Sequence, residues 1–337
     1  SDSQCWGLSS QQYVRDSVKN IKARLKQDGF EFNKKLSDVV YSPQQPFSNA
    51  KYKPELDTSP TCTITQFEYY QNLIGILRWC VELGRIDIAY EVSCLSSYLA
   101  NPRLGHLHQA LHIFKYLEIH QENFISFDPT RLELPTPNDT EQCPKYKAKQ
   151  MKEFYPDANE SIPLNAPEPR GEKVQLNVFV DADHAGNVVN RRSQTGILMF
   201  LNMAPVYWYS KKQTTVESST FSSEFVALKI AVEMIISMRY KLRMMGVPLE
   251  GPARIFCDNE AVYKNASFAD STLKKKHNSI AYHKVRESVA AGICYVIKED
   301  TGSNLADILT KSLPKQQRIY LRERIMINEK VKDLKSN

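Results

Sequence analysis

The sequence predicts an α/β fold: a mixed five-stranded sheet with flanking helices, preceded by a mainly helical region. Two patterns support this prediction. Between residues 10 and 120, apolar side chains recur three and four positions apart, as they do along amphipathic helices. After about residue 170, short runs of β-branched and aromatic residues alternate first with polar turns and then with helical runs, which is typical of a mixed sheet flanked by helices.

These patterns divide the chain into four segments. We expect a helical region over 1–127, a proline-rich linker over 128–170, an α/β domain over 171–320, and a basic tail or helix over 321–337. The linker prediction rests on eight prolines that are interspersed with charged and amide residues.

The helical region is predicted in two parts separated by a connector. Residues 10–26 form one amphipathic helix, the proline-containing stretch 28–62 is extended, and 65–120 holds three packed helices. Four histidines in the second part could suggest a metal site, but no acid or cysteine completes a ligand set. We therefore interpret them as polar helix surface. They are His106, His108, His112 and His120.

The α/β domain is predicted to begin with an antiparallel meander of three strands. These strands are VQLNVFVDAD, TGILMFLN and PVYWYSKK. Ser219 is the expected N-cap of a long helix that ends near Gly246. The later segments alternate between strands and helices. They are strand ARIFCD, helices EAVYKNAS and KKKHNSIAYHKVRESVAAG, strand ICYVIKE, and a last helix SNLADILTKSL.

Composition narrows the class of protein. With 337 residues, 42% of them hydrophobic, the chain can bury a sizeable core and form two domains. It holds no run of about 20 uncharged apolar residues, and its first residues lack an apolar signal region, so we expect no membrane segment and an intracellular location. Seven cysteines without a CxxC pair indicate a reducing compartment, and those at 80, 94, 257 and 294 are interpreted as small buried hydrophobes.

Four carboxylates in the second half suggest a metal site. Asp181 and Asp258 end predicted strands, Glu224 lies in the first turns of the long helix, and Asp307 lies in the last amphipathic segment. Like charges brought to one sheet edge need a cation, and Mg²⁺ prefers such oxygen ligands. A pair of Mg²⁺ ions about 4 Å apart can clamp the attacking and leaving oxygens of a phosphoryl displacement. Asp183 shares a strand face with Asp181 and remains an alternative first ligand.

The basic charge lies in the same half of the chain. From residue 171 onward there are 25 Lys and Arg against 17 Asp and Glu, a net +8, whereas the first 170 residues have a net −2. Basic residues around the acids would attract a phosphate-rich partner. The candidate phosphate contacts are Arg191, Arg192, Lys211, Lys212, Lys274, Lys275 and Lys276, and their alternative interpretation is solvated loop charge.

A few further polar residues have two interpretations each. Ser193, Gln213 and Asn259 could contact a ligand near the metal edge or serve only as capping and turn residues. His277 and His283 could assist proton transfer or product release, but we favour packing on a helix surface for both.

Several ordered motifs resemble one known family. The strings DADHAG, RRSQTGILMFLN, WYSKKQ, EFVAL, CDN, KKHNSIAYHKVRE and LADILTKSL resemble the ribonuclease H domain at the C-terminal end of copia-type LTR retrotransposon Pol polyproteins. The earlier string YYQNLIGILRWCVELGRIDIAYEVSCLSSYLANPR resembles the thumb and connection segment that joins the reverse transcriptase to that domain. Together they cover nearly all of the chain outside the proline-rich stretches.

The resemblance implies a ribonuclease H-like fold and a specific activity. That activity is hydrolysis of the RNA strand of RNA–DNA hybrids with two Mg²⁺ ions, or Mn²⁺ in their place. The catalytic residues and metal ligands it implies are Asp181, Glu224, Asp258 and Asp307, with Asp181 preferred over Asp183. The implied partners are the hybrid and the polymerase portion of the same polyprotein, in a cytoplasmic particle or the nucleus.

Two departures from the family pattern limit this interpretation. FSS stands ahead of Glu224 where the family has a more acidic stretch, and no adjacent Asp-Asp pair of a polymerase palm occurs in these residues. We therefore expect no polymerase activity from them. The alternative functions are a catalytically inactive, nucleic-acid-binding remnant of a truncated polyprotein, or a structural DNA-binding domain.

Overall fold

A computed structural model describes residues 5–27, 52–132, 144–273 and 276–328, without the side chains of 144–148 and 277. Much of the predicted connector, the middle of the predicted linker and the C-terminal tail beyond 328 lie outside these residues. Among the helices described, none is both long enough and apolar enough to cross a membrane.

The predicted helical region contains four helices within its described part. They are α1 (Gln11–Gln27), α2 (Ile64–Glu82), α3 (Ala89–Ser96) and α4 (Leu104–Ile119). The apolar stripe of α1 buries Val14, Val18 and Ile21 against α4 and α2, as its spacing predicts. His106 and His112 are buried in α4, so the predicted exposed surface is wrong for these two histidines. The amphipathic pattern located the helix but not which polar side chains it buries.

A segment inside the predicted linker is helical. Helix α5 (Pro144–Phe154) packs on the α/β domain, and Met151 is fully buried in that domain's core. Proline is tolerated in the first turn of a helix, so Pro144 does not prevent it. Met151, Tyr155 and Ala158 of the predicted linker therefore pack on the α/β domain. The sequence did not indicate this, because these apolar residues stand among prolines and charged residues.

The predicted mixed five-stranded sheet is confirmed. Its strands lie in the order β5-β4-β3-β6-β7, with antiparallel pairing from β5 to β3 and parallel pairing from β3 to β7. Their bounds are β3 (Leu176–Asp183), β4 (Gln194–Leu201), β5 (Ala204–Lys212), β6 (Ala253–Cys257) and β7 (Cys294–Lys298).

Helices cover one face of this sheet. They are α6 (Thr220–Met244), α7 (Glu260–Ser267) and α8 (Ser279–Ala290). Ser219 is the N-cap of α6, as predicted, and its hydroxyl accepts a hydrogen bond from Ser222 N at 3.2 Å. Val180, Leu228 and Val285 belong to the buried core between this face and the helices.

The helical region covers the opposite face. Ile86 and Ala89 share a buried core with Phe179 and Leu198 of the sheet and with Leu309. The side chain of Trp208 on β5 also donates to the carbonyl of Val81 at 3.0 Å. The two regions thus fold around one common core on this side, which the predicted separation by a linker does not anticipate.

The end of the α/β domain differs from its prediction. The last amphipathic segment forms a short 3-10 helix, Leu305–Leu309, followed by α9 (Lys315–Ile325). Asn304 is the N-cap of the 3-10 helix, and its side chain accepts a hydrogen bond from Ala306 N at 3.1 Å. Pro314 occupies the N-cap position of α9, where a proline is tolerated. A three-stranded sheet with the order β1-β2-β8 was not predicted, because its strands are short. They are β1 (Trp6–Leu8), β2 (Asn123–Phe127) and β8 (Ile327–Asn328).

Candidate metal centre

Two of the four carboxylates come from neighbouring parallel strands. Val180 of β3 pairs with Cys257 of β6, so the next residues, Asp181 and Asp258, leave the pairing at the same level of the sheet. Asp181 is only 2% exposed, whereas Asp258 is partly exposed. The carboxyl ends of parallel strands meet at one sheet edge, and this places the two acids side by side.

Glu224 approaches from the helix layer. It lies in the second turn of α6, close to the N-cap Ser219, and is 5% exposed. Gln213, at the end of β5, donates to the carbonyl of Ser223 at 2.9 Å and so fixes the start of α6 against the sheet. Among the described residues, Oε2 of Glu224 is buried and has no hydrogen-bond partner. A buried carboxylate oxygen left in this state needs a cation or a proton.

Asp307 is held over the other face of the sheet by the 3-10 helix. Asn304 donates to the carbonyl of Val180 at 2.9 Å, which anchors this helix next to Asp181. Gly196 on β4 permits the close approach, since a Cβ there would lie 2.6 Å from Cγ2 of Thr310 and 2.8 Å from the carbonyl of Ala306. A glycine at this strand position therefore sets the depth of Asp307.

The carboxylates converge in two overlapping groups. Oxygen atoms of Asp181, Asp258 and Asp307 all lie within 4.8 Å of one another. Glu224 and Asp258 form a second such group with the thiol of Cys257. Asp258 thus belongs to both groups, and the other three acids predicted from the sequence each share a group with it.

Lys311 is the cation that the sequence reasoning did not assign to the site. Its Nζ lies 2.9 Å from Oδ1 of Asp307 and 3.5 Å from Oδ2 of Asp181. The hydroxyl of Thr310 also donates to Oδ2 of Asp181. Lys311 stands in the quoted string LADILTKSL, four residues after Asp307, and that spacing on a helical turn was the available signal.

Burial and the crowding of like charges raise the pKa values of three of the acids, Glu224, Asp258 and Asp307. Burial, followed by the charge of Asp181, raises the pKa of Asp307 to about 7 and also raises the pKa of Asp258. Burial and the charges of Asp181 and Asp258 raise the pKa of Glu224 well above its usual range. The single ammonium of Lys311 lowers these values but does not offset the repulsion. The site therefore carries more negative charge than its own cation balances.

These residues fit a divalent ion. The donors are carboxylate oxygens, which Mg²⁺ and Mn²⁺ accept, and the unpartnered oxygen of Glu224 supplies a coordination position. Burial and the charge of Glu224 raise the pKa of the Cys257 thiol, which keeps this sulfur protonated and makes it a poor ligand. The four acids, without Cys257, are thus the set that would hold the metal.

The alternative first ligand, Asp183, lies apart from these groups. It belongs to neither ligand group, and its carboxylate folds back over its own turn, where a Cβ at Gly186 would lie 1.9 Å from Oδ2. It instead lines a small pocket with Arg192 and Lys212. This placement favours Asp181.

Comparison with known proteins supplies the wider context. No protein-family model matches the chain. It is 25% identical over 248 residues to the retrovirus-related Pol polyprotein from transposon TNT 1-94 of Nicotiana tabacum, a match that covers 74% of this chain and 15% of that protein. It is 26% identical over 260 residues to the retrovirus-related Pol polyprotein from transposon RE1 of Arabidopsis thaliana, covering 77% of this chain and 15% of that protein. The chain is a relative of transposon Pol polyproteins.

This confirms the family resemblance drawn from the motifs. The chain spans about 15% of the length of these Pol relatives. Among solved structures, LC11-RNase H1 in complex with RNA/DNA hybrid is 14% identical, with a TM-score of 0.34, and the match covers 40% of this chain and 94% of that one. The fold is ribonuclease H-like: three antiparallel strands, a long helix and two parallel strands follow one another in the chain.

This chain carries several of its predicted basic residues near the edge of the sheet at which the acids lie. Lys212 pairs with Gln194, which pairs with Asp183, and Lys211 lies one position farther from that edge. Arg191 and Arg192 are exposed in the loop between β3 and β4. Lys276 is exposed in a 3-10 helix whose Asn278 donates to Ser222 Oγ at 3.0 Å, beside Glu224. Lys274 and Lys275 lie outside the described residues.

The other polar residues that the sequence singled out have structural partners. Ser193 accepts from Ala185 N at 3.1 Å, Gln213 donates to Thr195 Oγ1 at 3.0 Å, and Asn259 caps α7. Each therefore has a capping or turn role, which leaves a ligand contact as the untested alternative.

The histidine near the acids is one that the sequence reasoning overlooked. Nδ1 of His184 lies 3.3 Å from the hydroxyl of Ser223, the residue before Glu224. By contrast, His283 is exposed on α8 and bonds with the hydroxyl of Tyr155 at 2.7 Å, which agrees with helix-surface packing. The side chain of His277 lies outside the described residues. Because His184 directly follows Asp183 in DADHAG, its place in that motif was the available signal.

Proposed function

We propose that this chain is a metal-dependent ribonuclease H that hydrolyses the RNA strand of RNA–DNA hybrids. The observation that carries the proposal is the convergence of four carboxylates from three different parts of the fold, with oxygens of three of them within 4.8 Å of one another. The relationship to transposon Pol polyproteins supports the choice of a nucleic-acid substrate. The intact set of four acids supports the choice of hydrolysis rather than simple binding.

The four acids would hold the metal. Asp181, Glu224, Asp258 and Asp307 are the proposed ligands, and we propose two Mg²⁺ ions, with Mn²⁺ as a substitute. When bound, such ions activate a water for attack and stabilise the leaving oxygen, so that the RNA product ends in a 3′-hydroxyl. The protein's own residues supply the fixed geometry, because each acid is anchored by a strand end, a capped helix or the 3-10 helix.

Two side chains beside the acids have proposed supporting roles. Lys311 holds Asp181 and Asp307 in place before metal binds, since its ammonium lies within 3.5 Å of both. His184, next to the start of α6, can exchange a proton with a group at the site edge, because the two ring nitrogens of an imidazole can donate and accept a hydrogen bond. Both roles follow from position alone.

The basic residues predicted from the sequence would hold the substrate backbone. We propose that Arg191, Arg192, Lys211, Lys212 and Lys274 to Lys276 contact phosphates, which positions the duplex without reading its sequence. Selection of the RNA strand would then depend on its 2′-hydroxyl at the cut position and on the shape of the hybrid.

The decisive experiment is cleavage of an end-labelled RNA–DNA hybrid with Mg²⁺ by the wild type and by Asp258→Asn. We expect the wild type to cut only the RNA strand and the variant to lose more than about 100-fold in rate, since loss of a residue that merely hydrogen-bonds a metal ligand already costs about 10- to 100-fold. Asp157→Asn, which changes an exposed acid, is the matched control and should cut normally.

Two results would overturn the proposal. If the wild type cuts no hybrid with either Mg²⁺ or Mn²⁺ but still binds it in a salt-dependent manner, the chain is a nucleic-acid-binding remnant. If Asp258→Asn cuts as fast as the wild type, the site is assigned to the wrong residues.

The larger context of the chain is also a proposal. We propose that the helical region corresponds to the thumb and connection segment of a Pol polyprotein, that the polymerase portion of that polyprotein is a partner, and that the chain acts inside the cell. The similarity to Pol polyproteins over 74% of this chain supports these assignments. Copurification with a tagged polymerase portion of the same polyprotein would test the partnership.

A further inference from the structure

A groove lies between the helical region and the edge of the sheet. It has a volume of about 440 Å³ and runs between the C-terminal half of α2, the helix α3 and the end of β5. Its lining residues with polar or charged side chains are Arg78, Glu82, Ser93, Ser96, Ser97, Ser210, Lys211 and Lys212. The groove is thus built from both regions of the chain.

The lining has the chemistry of a phosphate-backbone site. It contains three cations, one carboxylate and four serines, of which Ser96 and Ser210 already donate their hydroxyl protons to backbone carbonyls. Arg78, Glu82 and Lys211 are exposed. Phosphate oxygens in nucleic acids are most often bound by such cations and hydroxyl groups. The lining has no aromatic side chain on which a base could stack, so it suits backbone contact without sequence reading.

A chain of hydrogen bonds joins the groove to the carboxylate site. The side chain of Gln194 donates to the hydroxyls of Ser93 at 3.1 Å and Ser210 at 3.0 Å. Ser210 in turn donates to the carbonyl of Leu309 at 2.6 Å, at the end of the helix that carries Asp307. The groove wall is therefore fixed relative to the acids, because the same residues support both.

The cations also continue from the groove toward the acids. Lys212 lines the groove and also the small pocket that holds Asp183 and Arg192. A polyanion seated in the groove would meet Arg78 and Lys211 first, then Lys212 and Arg192, before it reached the acidic edge. This sequence of cations suits a long ligand rather than a single phosphate ion.

We propose that this groove binds the sugar-phosphate backbone of the RNA–DNA hybrid at a distance from the cut site. The inference rests on the proposed function and adds Arg78, from the helical region, to the substrate contacts. Net charge did not indicate this, because the first 170 residues are net negative and Arg78 contributes to the site only through the fold. The helical region would thus bind substrate directly as well as support the sheet.

The test is the salt dependence of hybrid binding, measured by fluorescence anisotropy in the non-cutting Asp258→Asn background. Replacing Arg78 and Lys211 together by Gln should lower the slope of log K against log salt by about 0.9 for each phosphate that the variant no longer binds. The effect should be larger with a hybrid several helical turns long than with one that covers only the carboxylate edge, where Arg78 makes no contact. Lys241→Gln, an exposed lysine in the last turn of α6, is the matched control and should leave the slope unchanged.

A second variant moves affinity in the opposite direction. Glu82→Gln removes the carboxylate from the groove, and we expect it to tighten binding of the long hybrid several-fold at low salt, with no change for the short one. A purely structural role for these residues would not produce increases and decreases in affinity that follow charge. Melting curves of all variants check that the exposed substitutions leave the fold intact.

The outcomes separate this inference from the proposed function. If the wild type fails to cut hybrids but the slopes change as expected, the groove binds nucleic acid and the enzymatic proposal is wrong. If the wild type cuts while the Arg78 and Lys211 variant keeps the wild-type slope, the groove is not a substrate site. Binding of the long hybrid that is unaffected by Glu82→Gln and by the double variant alike would also overturn the inference.

Discussion

Asp87 in the helical region and Asp307 in the α/β domain are equally buried, each 1% exposed, yet their pKa values move in opposite directions. Burial alone raises both. Asp87 receives two hydrogen bonds from Arg85, at 2.8 and 2.9 Å, and one from Tyr116 at 2.8 Å, which together hold its pKa well below the usual range. Asp307 faces Asp181 and shares one lysine with it, so its pKa rises to about 7.

The comparison distinguishes a structural acid from a ligand. A fully paired buried carboxylate can stay charged inside the fold as long as its partners remain, and it has no need of a further cation. A buried carboxylate crowded by others destabilises the fold unless a cation arrives, and this is the state in which metal binding contributes most. The helical region contains the first kind and the sheet edge contains the second, although both kinds would read alike in the sequence.

The largest expected change in stability comes from removing the charge of Asp87, the acid that is paired with Arg85. Asp87→Asn leaves the guanidinium of Arg85 buried without its counter-charge, and we expect the free energy of unfolding to fall by about 3–5 kcal/mol. Urea denaturation measures this change in the free energy of unfolding. The exposed Asp157→Asn should change stability by less than about 0.5 kcal/mol. If Asp87→Asn costs no more than the control, Asp87 is not a structural charge.

Sequence reasoning located the candidate ligand acids better than the structural ones. Asp181 and Asp258 could be placed because strand ends are visible as apolar runs, and parallel neighbours bring such ends together. Arg318 and Glu91 form a buried ion pair at 2.9 Å across 227 positions of the chain. No periodic pattern links residues so far apart, so their pairing depends on tertiary packing alone.

The parts of the site that were missed depend on close approach. Gly196 was read only as part of a strand, but the structure shows that it admits the 3-10 helix carrying Asp307. Lys311 stood in a recognised motif, but its contact with Asp181 requires that helix to sit against β3. Helix α5 was hidden by the prolines on either side of it, and the sheet of β1, β2 and β8 has strands too short to show alternation.

The pH dependence of the metal-free protein should sharpen the contrast. Because the pKa of Asp307 is raised from 3.8 to about 7, the folded state binds a proton that the unfolded state releases between these values. The titration of Asp307 therefore lowers the free energy of unfolding as pH rises from about 4 to about 7, by on the order of 2–4 kcal/mol. The lowered pKa of Asp87 has the opposite sign: its stabilisation is present above the unfolded pKa and is lost as pH falls below it.

Urea midpoints measured in a chelator across this pH range test the prediction. Asp307→Asn should flatten the decline, and Mg²⁺ should reduce it in the wild type by binding the ionised acids. A wild-type midpoint that rises steadily from pH 4 to pH 7, and the same rise in Asp307→Asn, would show that the carboxylates do not repel one another in the folded state.

A glycine substitution tests whether the depth of Asp307 matters. In Gly196→Ala the new methyl would overlap Thr310 and the backbone of Ala306, so we expect a loss of about 1–3 kcal/mol in unfolding free energy. Displacement of Asp307 should also lower the cleavage rate while hybrid binding is kept. Gly75→Ala, in α2 with no atom within 4 Å of the new Cβ, is the control and should stabilise by roughly 0.5–1 kcal/mol. If both variants cleave the hybrid at the wild-type rate, Gly196 has no role in positioning the site.

The smallest expected effect concerns the ion pairs of two lysines in the α/β domain. Lys311→Gln removes the cation shared by Asp181 and Asp307, and because Lys311 is one-third exposed we expect a loss of only about 1 kcal/mol without metal. Lys229→Gln breaks an exposed pair with Glu233 on α6 and should cost about 0.3–0.5 kcal/mol.

The response to metal separates these two lysines more clearly than stability does. If Lys311 partly neutralises the ligands before metal binds, its removal should enlarge the rise in melting temperature on adding Mg²⁺, since the ion then meets more uncompensated charge. Lys229→Gln should leave that rise as in the wild type. A smaller rise in Lys311→Gln than in the wild type would mean that Lys311 assists the metal instead of standing in its place, and the site would then be one in which lysine and ion act together.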